Sequence, residues 1–300
     1  PVVVGNLMYL ESGQGEVVCL DSNTGDIQWA VDLLERFDAN NISWGMTESL
    51  LIDGDKVICT PGGPQHNVVA LNRFDGQLVW TSKGNGEPAA YCSPILVNHN
   101  GTRLIVTMTT ESVIGVDADD GTFYWRTPQH QGNKIHANSP LYFDGKIVCA
   151  SSSAQEYSGL VLLQLSEDGK SVSVEWRNQR FRNLMGGVIH RDGYLYGAHY
   201  RRKHWSSIDV SGGEFVHHSR ELGGGVIIYA DGLFYCYSDD GELALVDATP
   251  NSFDILSSFE ITKGTGQHWA HPVIKAGRLY LRHAASRSDQ RSSFPGPHVR

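Results

Sequence analysis

The sequence has few charged residues and no long apolar run. Charged side chains make up 19% of its 300 residues, and the formal net charge is −9. A nucleic-acid surface needs clustered positive charge, and the single basic run, 201–204, is interpreted as a solvated loop instead of a phosphate clamp. No run of about 18 apolar residues occurs, so the sequence predicts no transmembrane segment.

The sequence also lacks paired cysteines. None of the five is adjacent to another, and no Cys-x-x-Cys or Cys/His spacing suggests zinc or redox chemistry. Cys59, Cys149 and Cys236 hold one position of a repeat, where other copies place Leu10 or Gly197. A position that accepts Cys, Leu or Gly indicates a packed core site. We interpret the cysteines as structural.

Neither end of the sequence contains a recognisable targeting signal. Residue 1 begins inside an apolar stretch, with no initiator methionine or signal peptide, so we expect any export signal to have preceded it. Residues 283–300 are almost devoid of apolar side chains, and we expect them to be disordered or foreign to the domain.

What the sequence does have is a repeat that ends in tryptophan. An apolar stretch, an Asp or Asn, a turn with Gly and then Trp recur with the tryptophans 51, 45 and 51 residues apart. The copies are 21–29, 72–80, 117–125 and 165–176. A period of this size made of short strands is typical of radial β arrays. Two later copies are weaker, and we align Phe215 with the tryptophan in the fifth copy.

A second motif precedes each tryptophan by roughly 25 to 35 residues. An apolar stretch runs into Asp-Gly, Asn-Gly, Ala-Gly or Gly-Asn and then into a second β-rich stretch, in seven copies. These dipeptides favour two-residue hairpin turns, so each copy predicts an antiparallel hairpin. Hairpin, third strand and Trp strand together make the four-stranded blade of a β-propeller.

The predicted fold is therefore all-β, a single β-propeller domain over residues 1–282 with six near-complete blades and a partial seventh. The intact protein would have seven to eight. The predicted blades are about 1–35, 43–82, 90–127, 136–178, 184–218, 224–260 and 269–282.

The recurrent tryptophans have two possible roles. An outer-strand indole can lie over the neighbouring blade and donate its N–H to a backbone carbonyl, or it can form a platform for a cofactor. Because one recurs in each unit, we favour inter-blade packing for Trp29, Trp80, Trp125 and Trp176.

These motifs resemble the pyrroloquinoline-quinone repeat family, best in Val18–Trp29, and the resemblance extends over about 1–282. It implies a β-propeller. The family includes quinone-dependent dehydrogenases and cofactor-free scaffolds such as the BamB type, and this sequence is more similar to the scaffolds. The resemblance thereby implies a periplasmic or secreted location and partners among envelope proteins.

The resemblance does not extend to the quinone site. In the dehydrogenases of this family the quinone lies between a Trp and a vicinal disulfide, above a calcium bound by Glu and Asn. This sequence has no adjacent cysteines and no such Glu/Asn set at recognisable spacing. We therefore predict no catalytic residues, no metal and no cofactor, with pyrroloquinoline quinone and calcium as the alternative.

A binding site, if present, is expected at the channel mouth, where propeller loops converge. The loops before the innermost strands are polar and aromatic. We select seven residues as a candidate ring for a small polar ligand or a metal: Trp44, Glu48, Tyr91, His136, Asn138, His268 and His271. The competing interpretation is that they cap the channel through hydrogen bonds. Two functions remain open, a non-catalytic binding scaffold and a dehydrogenase-like enzyme.

Overall fold

The computed structural model of the protein describes residues 1–130, 135–153, 155–200, 202–262 and 266–283. The predicted tail, apart from His283, lies outside these residues. The chain divides into two compact units, 1–184 and 185–300, which we call unit 1 and unit 2 and describe separately. The single-domain boundary at 282 stays a prediction.

The described part of unit 1 contains four sheets, each a four-stranded antiparallel meander. The first two sheets comprise β1 (Val2–Val4), β2 (Leu7–Glu11), β3 (Glu16–Asp21) and β4 (Ile27–Asp32), then β5 (Leu51–Asp53), β6 (Lys56–Cys59), β7 (Val68–Asn72) and β8 (Leu78–Ser82). The other two comprise β9 (Ile95–His99), β10 (Thr102–Met108), β11 (Ser112–Asp117) and β12 (Phe123–Pro128), then β13 (Leu141–Phe143), β14 (Lys146–Ala150), β15 (Leu160–Leu165) and β16 (Val172–Asn178). One short helix, α1 (Leu33–Arg36), follows β4 and is capped by Asp32.

The described part of unit 2 contains two further meanders and one hairpin. The meanders comprise β17 (Val188–Arg191), β18 (Tyr194–His199), β19 (His204–Asp209) and β20 (Phe215–Ser219), then β21 (Gly225–Ala230), β22 (Leu233–Ser238), β23 (Glu242–Thr249) and β24 (Ser252–Glu260). The hairpin comprises β25 (Val273–Lys275) and β26 (Arg278–Tyr280). Six four-stranded sheets and one two-stranded sheet confirm the predicted propeller blades.

The hairpins turn where the dipeptides predict. Asp192 and Gly193, for example, have φ angles of 51° and 81°, the left-handed pair that a two-residue turn requires. The second sheet differs by one residue, because β5 continues through Asp53 and the turn is Gly54-Asp55. Asp53 is thereby free to form an ion pair with Lys56.

A β-bulge recurs between the third and fourth strands of every complete sheet. In the first sheet the bulge lies between Cys19 and Leu20 and sets Trp29 opposite Cys19. The same register in the fifth sheet sets His217 opposite Ser207. His217, not Phe215, therefore occupies the tryptophan position, and the alignment of Phe215 with it was wrong. Phe215 precedes the bulged residue on its strand, as Ile27 does in the first sheet.

Consecutive sheets within each unit share apolar cores. Tyr9 and Cys19 of the first sheet pack with Val57 and Cys59 of the second, and Tyr196 of the fifth packs with Phe234 of the sixth. Because each sheet buries its faces against its neighbours, the blade is not an independent folding unit. All five cysteines are free and buried, as the core interpretation predicts.

Candidate functional site

The predicted mouth residues of unit 1 all lie on one class of loop. In an antiparallel meander, the connection from strand two to strand three and the connection to the next sheet leave from the same end. We call these connections the mouth loops. Trp44, Glu48, Tyr91, His136 and Asn138 lie on the connections between sheets.

Glu48 lies on the loop before β5 and is almost completely buried. Its Oε1 accepts the backbone N–H of Thr60 at 2.8 Å, and its Oε2 accepts the Thr60 hydroxyl. Burial raises the pKa of the Glu48 carboxyl, while the bonds from Thr60 oppose that rise. Both carboxylate oxygens of Glu48 are therefore bonded to Thr60, which follows the end of β6.

A second carboxyl, Glu11, lies close to Glu48 and was missed by the sequence analysis. Burial raises its pKa, and the charge of Glu48 raises it further. Both of its oxygens are buried and have no hydrogen-bond partner in the described residues. The sequence contained one indication of it. Glu11, the last residue of β2, occupies the position of the repeat that Thr60 occupies immediately after β6.

Tyr91 connects two neighbouring mouth loops. Its hydroxyl accepts the backbone N–H of Trp44 at 3.2 Å, and the two rings lie 6.0 Å apart. The Tyr91 backbone N–H donates to the carbonyl of His136 at 2.9 Å. The Trp44 side chain itself is 69% exposed. Tyr91 thus holds the backbone of Trp44, while most of the Trp44 side chain is open to solvent.

His136 and Asn138 are buried in the next loop. Burial lowers the pKa of His136 to about 4, against smaller opposing contributions from the backbone at Gln129 and Thr110, so the imidazole is neutral near pH 7. The Asn138 amide donates to the carbonyl of Asn183 at 3.0 Å. The Asn138 side chain thus secures one loop to the next, whereas neither ring nitrogen of His136 has a hydrogen-bond partner among the described residues.

A serine series, also missed, links three of the loops. The Ser49 backbone N–H donates to the Ser93 hydroxyl at 2.8 Å, and the Ser93 N–H donates to the Ser139 hydroxyl at 3.2 Å. The three serines precede the first strands of consecutive sheets. The repeated dipeptide Ser-Pro, at Ser93 and Ser139, was the sequence feature from which this series could have been predicted.

In unit 2 the two predicted histidines have different surroundings. His268 is buried, its Nδ1 is hydrogen-bonded to the Tyr237 hydroxyl, and its ring lies against Gly241. Burial lowers its pKa. His271 is exposed. The ring that combines these residues with those of unit 1 stays a prediction.

Three of the four repeated tryptophans of unit 1 lie against the following sheet. Three indole N–H groups donate to backbone carbonyls there: Trp29 to Arg73 at 3.0 Å, Trp80 to Ala118 at 3.3 Å and Trp125 to Gly169 at 3.1 Å. All three side chains are buried, and Trp176 on β16 is half-buried. The geometry is that of inter-blade packing, with the ring faces occupied by protein.

An open cleft of about 570 Å³ lies at the other end of the sheets in unit 1. Its wall includes His99, whose Nδ1 is 3.1 Å from the Tyr142 hydroxyl and whose Nε2 is 2.9 Å from the Ser166 carbonyl oxygen. Both ring nitrogens are thus engaged by the wall itself. The cleft is polar, shallow and remote from the mouth loops.

The residues present do not fit the quinone and calcium that the resemblance offers as an alternative. All five cysteines are free and buried, so no vicinal disulfide can flank a quinone. Glu48 accepts hydrogen bonds at both oxygens, and the Asn138 amide is bound to Asn183. Across the described ranges, no three His, Cys, Asp or Glu side chains are grouped to hold a metal ion. In the same ranges no helix has the length and apolar character needed to cross a membrane.

Comparison with known proteins gives one family. The family model described as outer membrane protein assembly factor BamB matches residues 1–219. A relative with that name from Salmonella typhimurium is 24% identical over 158 residues, which cover 53% of this chain and 36% of the relative. The match thus spans about a third of that relative's length.

Two solved structures show the same fold. The crystal structure of BamB from Moraxella catarrhalis superposes with a TM-score of 0.62 at 17% identity, covering 93% of this chain and 77% of that one. A europium-containing methanol dehydrogenase superposes with a TM-score of 0.59 at 13% identity, covering 92% and 72%. At these identities the likeness concerns the fold alone.

Proposed function

The chain belongs to the outer membrane protein assembly factor BamB family, and on that basis we propose that it is a non-catalytic propeller that binds another protein at the bacterial cell envelope. The proposal places the chain in the periplasm or outside the cell. It assigns no cofactor and no catalytic residue.

One observation carries the proposal. Glu48 and Asn138 of the unit 1 mouth loops are bonded to their own neighbours, while Trp44 beside them is 69% exposed and has its backbone N–H held by Tyr91. Polar groups that are already paired contribute little to small-molecule recognition. An exposed, positioned aromatic ring is the kind of residue that dominates protein–protein binding. We therefore propose Trp44 as an anchor for the partner.

The test is site-specific photocrosslinking in the source cells. A photoreactive amino acid replaces Trp44 in one variant and Val79, which is 49% exposed on the outer strand β8, in the control. We expect a discrete protein adduct from position 44 and none from position 79. Adding Tyr91→Ala, which removes the support of Trp44, should weaken that adduct. Equal adducts from both positions, or none from position 44, would contradict the proposal.

Location is tested separately by fractionating cells that carry the tagged full-length protein. We expect release with periplasmic contents or recovery with the envelope. Recovery with cytosolic markers would overturn this part of the proposal.

The enzyme alternative rests on the likeness to the methanol dehydrogenase fold. It predicts dye-linked alcohol oxidation when quinone and calcium are added, and loss of that activity in His136→Ala and His268→Ala. We expect no turnover above the blank. Reproducible turnover that these changes abolish would replace the scaffold proposal.

A further inference from the structure

Three histidines of unit 2 stack at one end of the fifth sheet. His199 ends β18 and His204 begins β19, and the two are direct partners in the antiparallel register. Their ring centroids lie 5.0 Å apart. His218 on β20 lies 4.7 Å from His204 on the other side. We call His199, His204 and His218 the histidine stack.

The central ring of the stack is buried without hydrogen bonds. The His204 side chain is 3% exposed, and neither ring nitrogen has a partner among the described residues. The flanking histidines differ from it. His199 Nδ1 accepts the backbone N–H of Arg202 at 3.1 Å, and His218 Nδ1 is 2.9 Å from the Ser206 hydroxyl. A proton on His204 would therefore be a buried charge with nothing to bind it.

The charges around His204 also oppose its protonation. His199, His218, Arg202 and Arg220 act on it from β18, from β20 and from the segments that follow each strand. Burial and these cationic neighbours lower the pKa of His204 to about 4.

The facing loop, between β22 and β23, carries two acidic groups. Asp240 pairs with Lys203 at 2.8 Å. Burial raises the pKa of the neighbouring Asp239 to about 6, against the opposing charge of Lys203. Because a raised carboxyl pKa favours the folded state at lower pH, the titration of Asp239 does not produce the loss of stability in acid.

We propose that the histidine stack is an acid-sensitive latch that holds the paired ends of β18 and β19, His199 and His204, together while His204 is neutral and releases them when His204 is protonated. The register places His204 at the first residue of β19, so opening requires only the end of the hairpin to separate, not the whole sheet. The inference does not depend on the proposed function.

The direction of the pH dependence follows from the two states. In the open state His204 titrates near the ordinary histidine pKa of about 6.5. In the closed state its pKa is lowered to about 4. The latch is therefore fully stable above about pH 6.5 and loses stability as the pH falls toward 4, because the open state then binds the additional proton.

Hydrogen exchange of the full-length protein, read by mass spectrometry at pH 7.5 and 5.0, tests the latch. Rates are corrected for the intrinsic effect of pH on amide exchange. We expect protection of residues 199–206 to fall about tenfold or more at pH 5.0. Protection of Val68–Asn72 in unit 1 should change much less. If protection of residues 199–206 fell no more than protection of Val68–Asn72, this measurement on the wild-type protein would by itself refute the proposal.

Two variants and a matched control identify the residue responsible. His204→Phe keeps an apolar ring and His204→Gln a polar side chain, and neither takes up a proton. In whichever of them folds, we expect equal protection of 199–206 at both pH values. His217→Phe changes a histidine on β20 that lies beside His218 but outside the stack, and it should retain the acid response. If the acid response persisted in the variants at position 204, another residue would be responsible for it and the proposal would be overturned.

Discussion

Unit 1 and unit 2 fill the space between consecutive sheets with a large flat ring, but they take that ring from different strands. In unit 1 the indole of Trp80 comes from the outer strand β8 and lies against Gly121 of the next sheet. In unit 2 the indole of Trp205 comes from the third strand, β19. It stacks on Phe253 of the next sheet at 5.8 Å and 19°.

The strand register explains how a different strand can supply the ring in unit 2. His217 occupies the outer-strand tryptophan position opposite Ser207, and Trp205 is two residues from Ser207 on the same face of the sheet. Trp205 also donates its indole N–H to the carbonyl of Gly223 at 3.0 Å, so the hydrogen bond is retained as well. Both units thus place a buried indole with a bonded N–H between two consecutive sheets, but from different strands.

The largest expected effect comes from filling the space under an indole in unit 1. An ideal Cβ at Gly115 would lie 2.2 Å from the Trp125 ring, which cannot move without losing its bond to Gly169. We expect Gly115→Ala to lower the free energy of unfolding by about 3–5 kcal/mol, similar to removing a buried aromatic ring. Denaturant unfolding measures it. Gly25→Ala, with open space at its Cβ, should cost about 1–2 kcal/mol, from its left-handed backbone alone.

Equivalent positions in the two units should respond differently to alanine. Trp80→Ala removes a buried indole and its hydrogen bond, and we expect a loss of about 3–4 kcal/mol in thermal or denaturant unfolding. His217→Ala changes the equivalent position of unit 2, where Trp205 supplies the ring, and should cost under about 1 kcal/mol. Similar losses of stability in the two variants would contradict the conclusion that the third strand, not the outer strand, supplies the ring in unit 2.

The units should also differ in their response to alkali. The pKa of Glu11 is raised by burial and by Glu48, so the folded state holds a proton that the unfolded state releases near the ordinary value of about 4.3. Stability from this group is complete below that value and declines as the pH rises toward the raised pKa. We expect Glu11→Gln to be more stable than wild type at pH 8.5, by on the order of 1–2 kcal/mol, and to show a flatter pH profile.

Unfolding followed between pH 5 and 9 checks this prediction. Glu16→Gln on β3, an exposed position, is the control and should follow the wild-type profile. If Glu11→Gln kept the alkaline decline, the carboxyl pair would not be its origin.

The smallest expected effect concerns the serine series of unit 1. Ser93→Ala removes the acceptor of the Ser49 N–H, and we expect a loss of about 0.5–1 kcal/mol, since water can replace part of a bond at a partly exposed site. Denaturant unfolding is again the measurement. Ser43→Ala, on the same loop as Ser49, should be neutral within about 0.5 kcal/mol. A neutral Ser93→Ala would show that the series does not stabilise the loops.

The sequence predicted those features of the fold that short motifs encode. Asp192-Gly193 carries its own turn geometry, and a once-per-repeat Trp80 implies a recurrent interface. It failed at Phe215 because the alignment followed the aromatic side chain and not the spacing. Trp29, Trp80 and Trp125 each lie four residues after their turn glycine, and the residue four after Gly213 is His217, which the register also places there.

The candidate site was less predictable, because its contacts join residues that are distant in sequence. Glu11 meets Glu48 only when the first two sheets pack, and His218 reaches His204 only across a strand pair. The sequence identified polar mouth residues correctly as belonging to the same class of loop. It gave no means to tell that Glu48 would be bonded to Thr60 and Trp44 exposed.

The central proposal is that the repeated tryptophans pack blades together and that the protein binds no quinone. Calorimetric titration of the purified full-length protein with pyrroloquinoline quinone in the presence of calcium tests it most directly. The account predicts no saturable heat and no change in Tm. Stoichiometric binding that requires calcium and is lost in Glu48→Gln would contradict it.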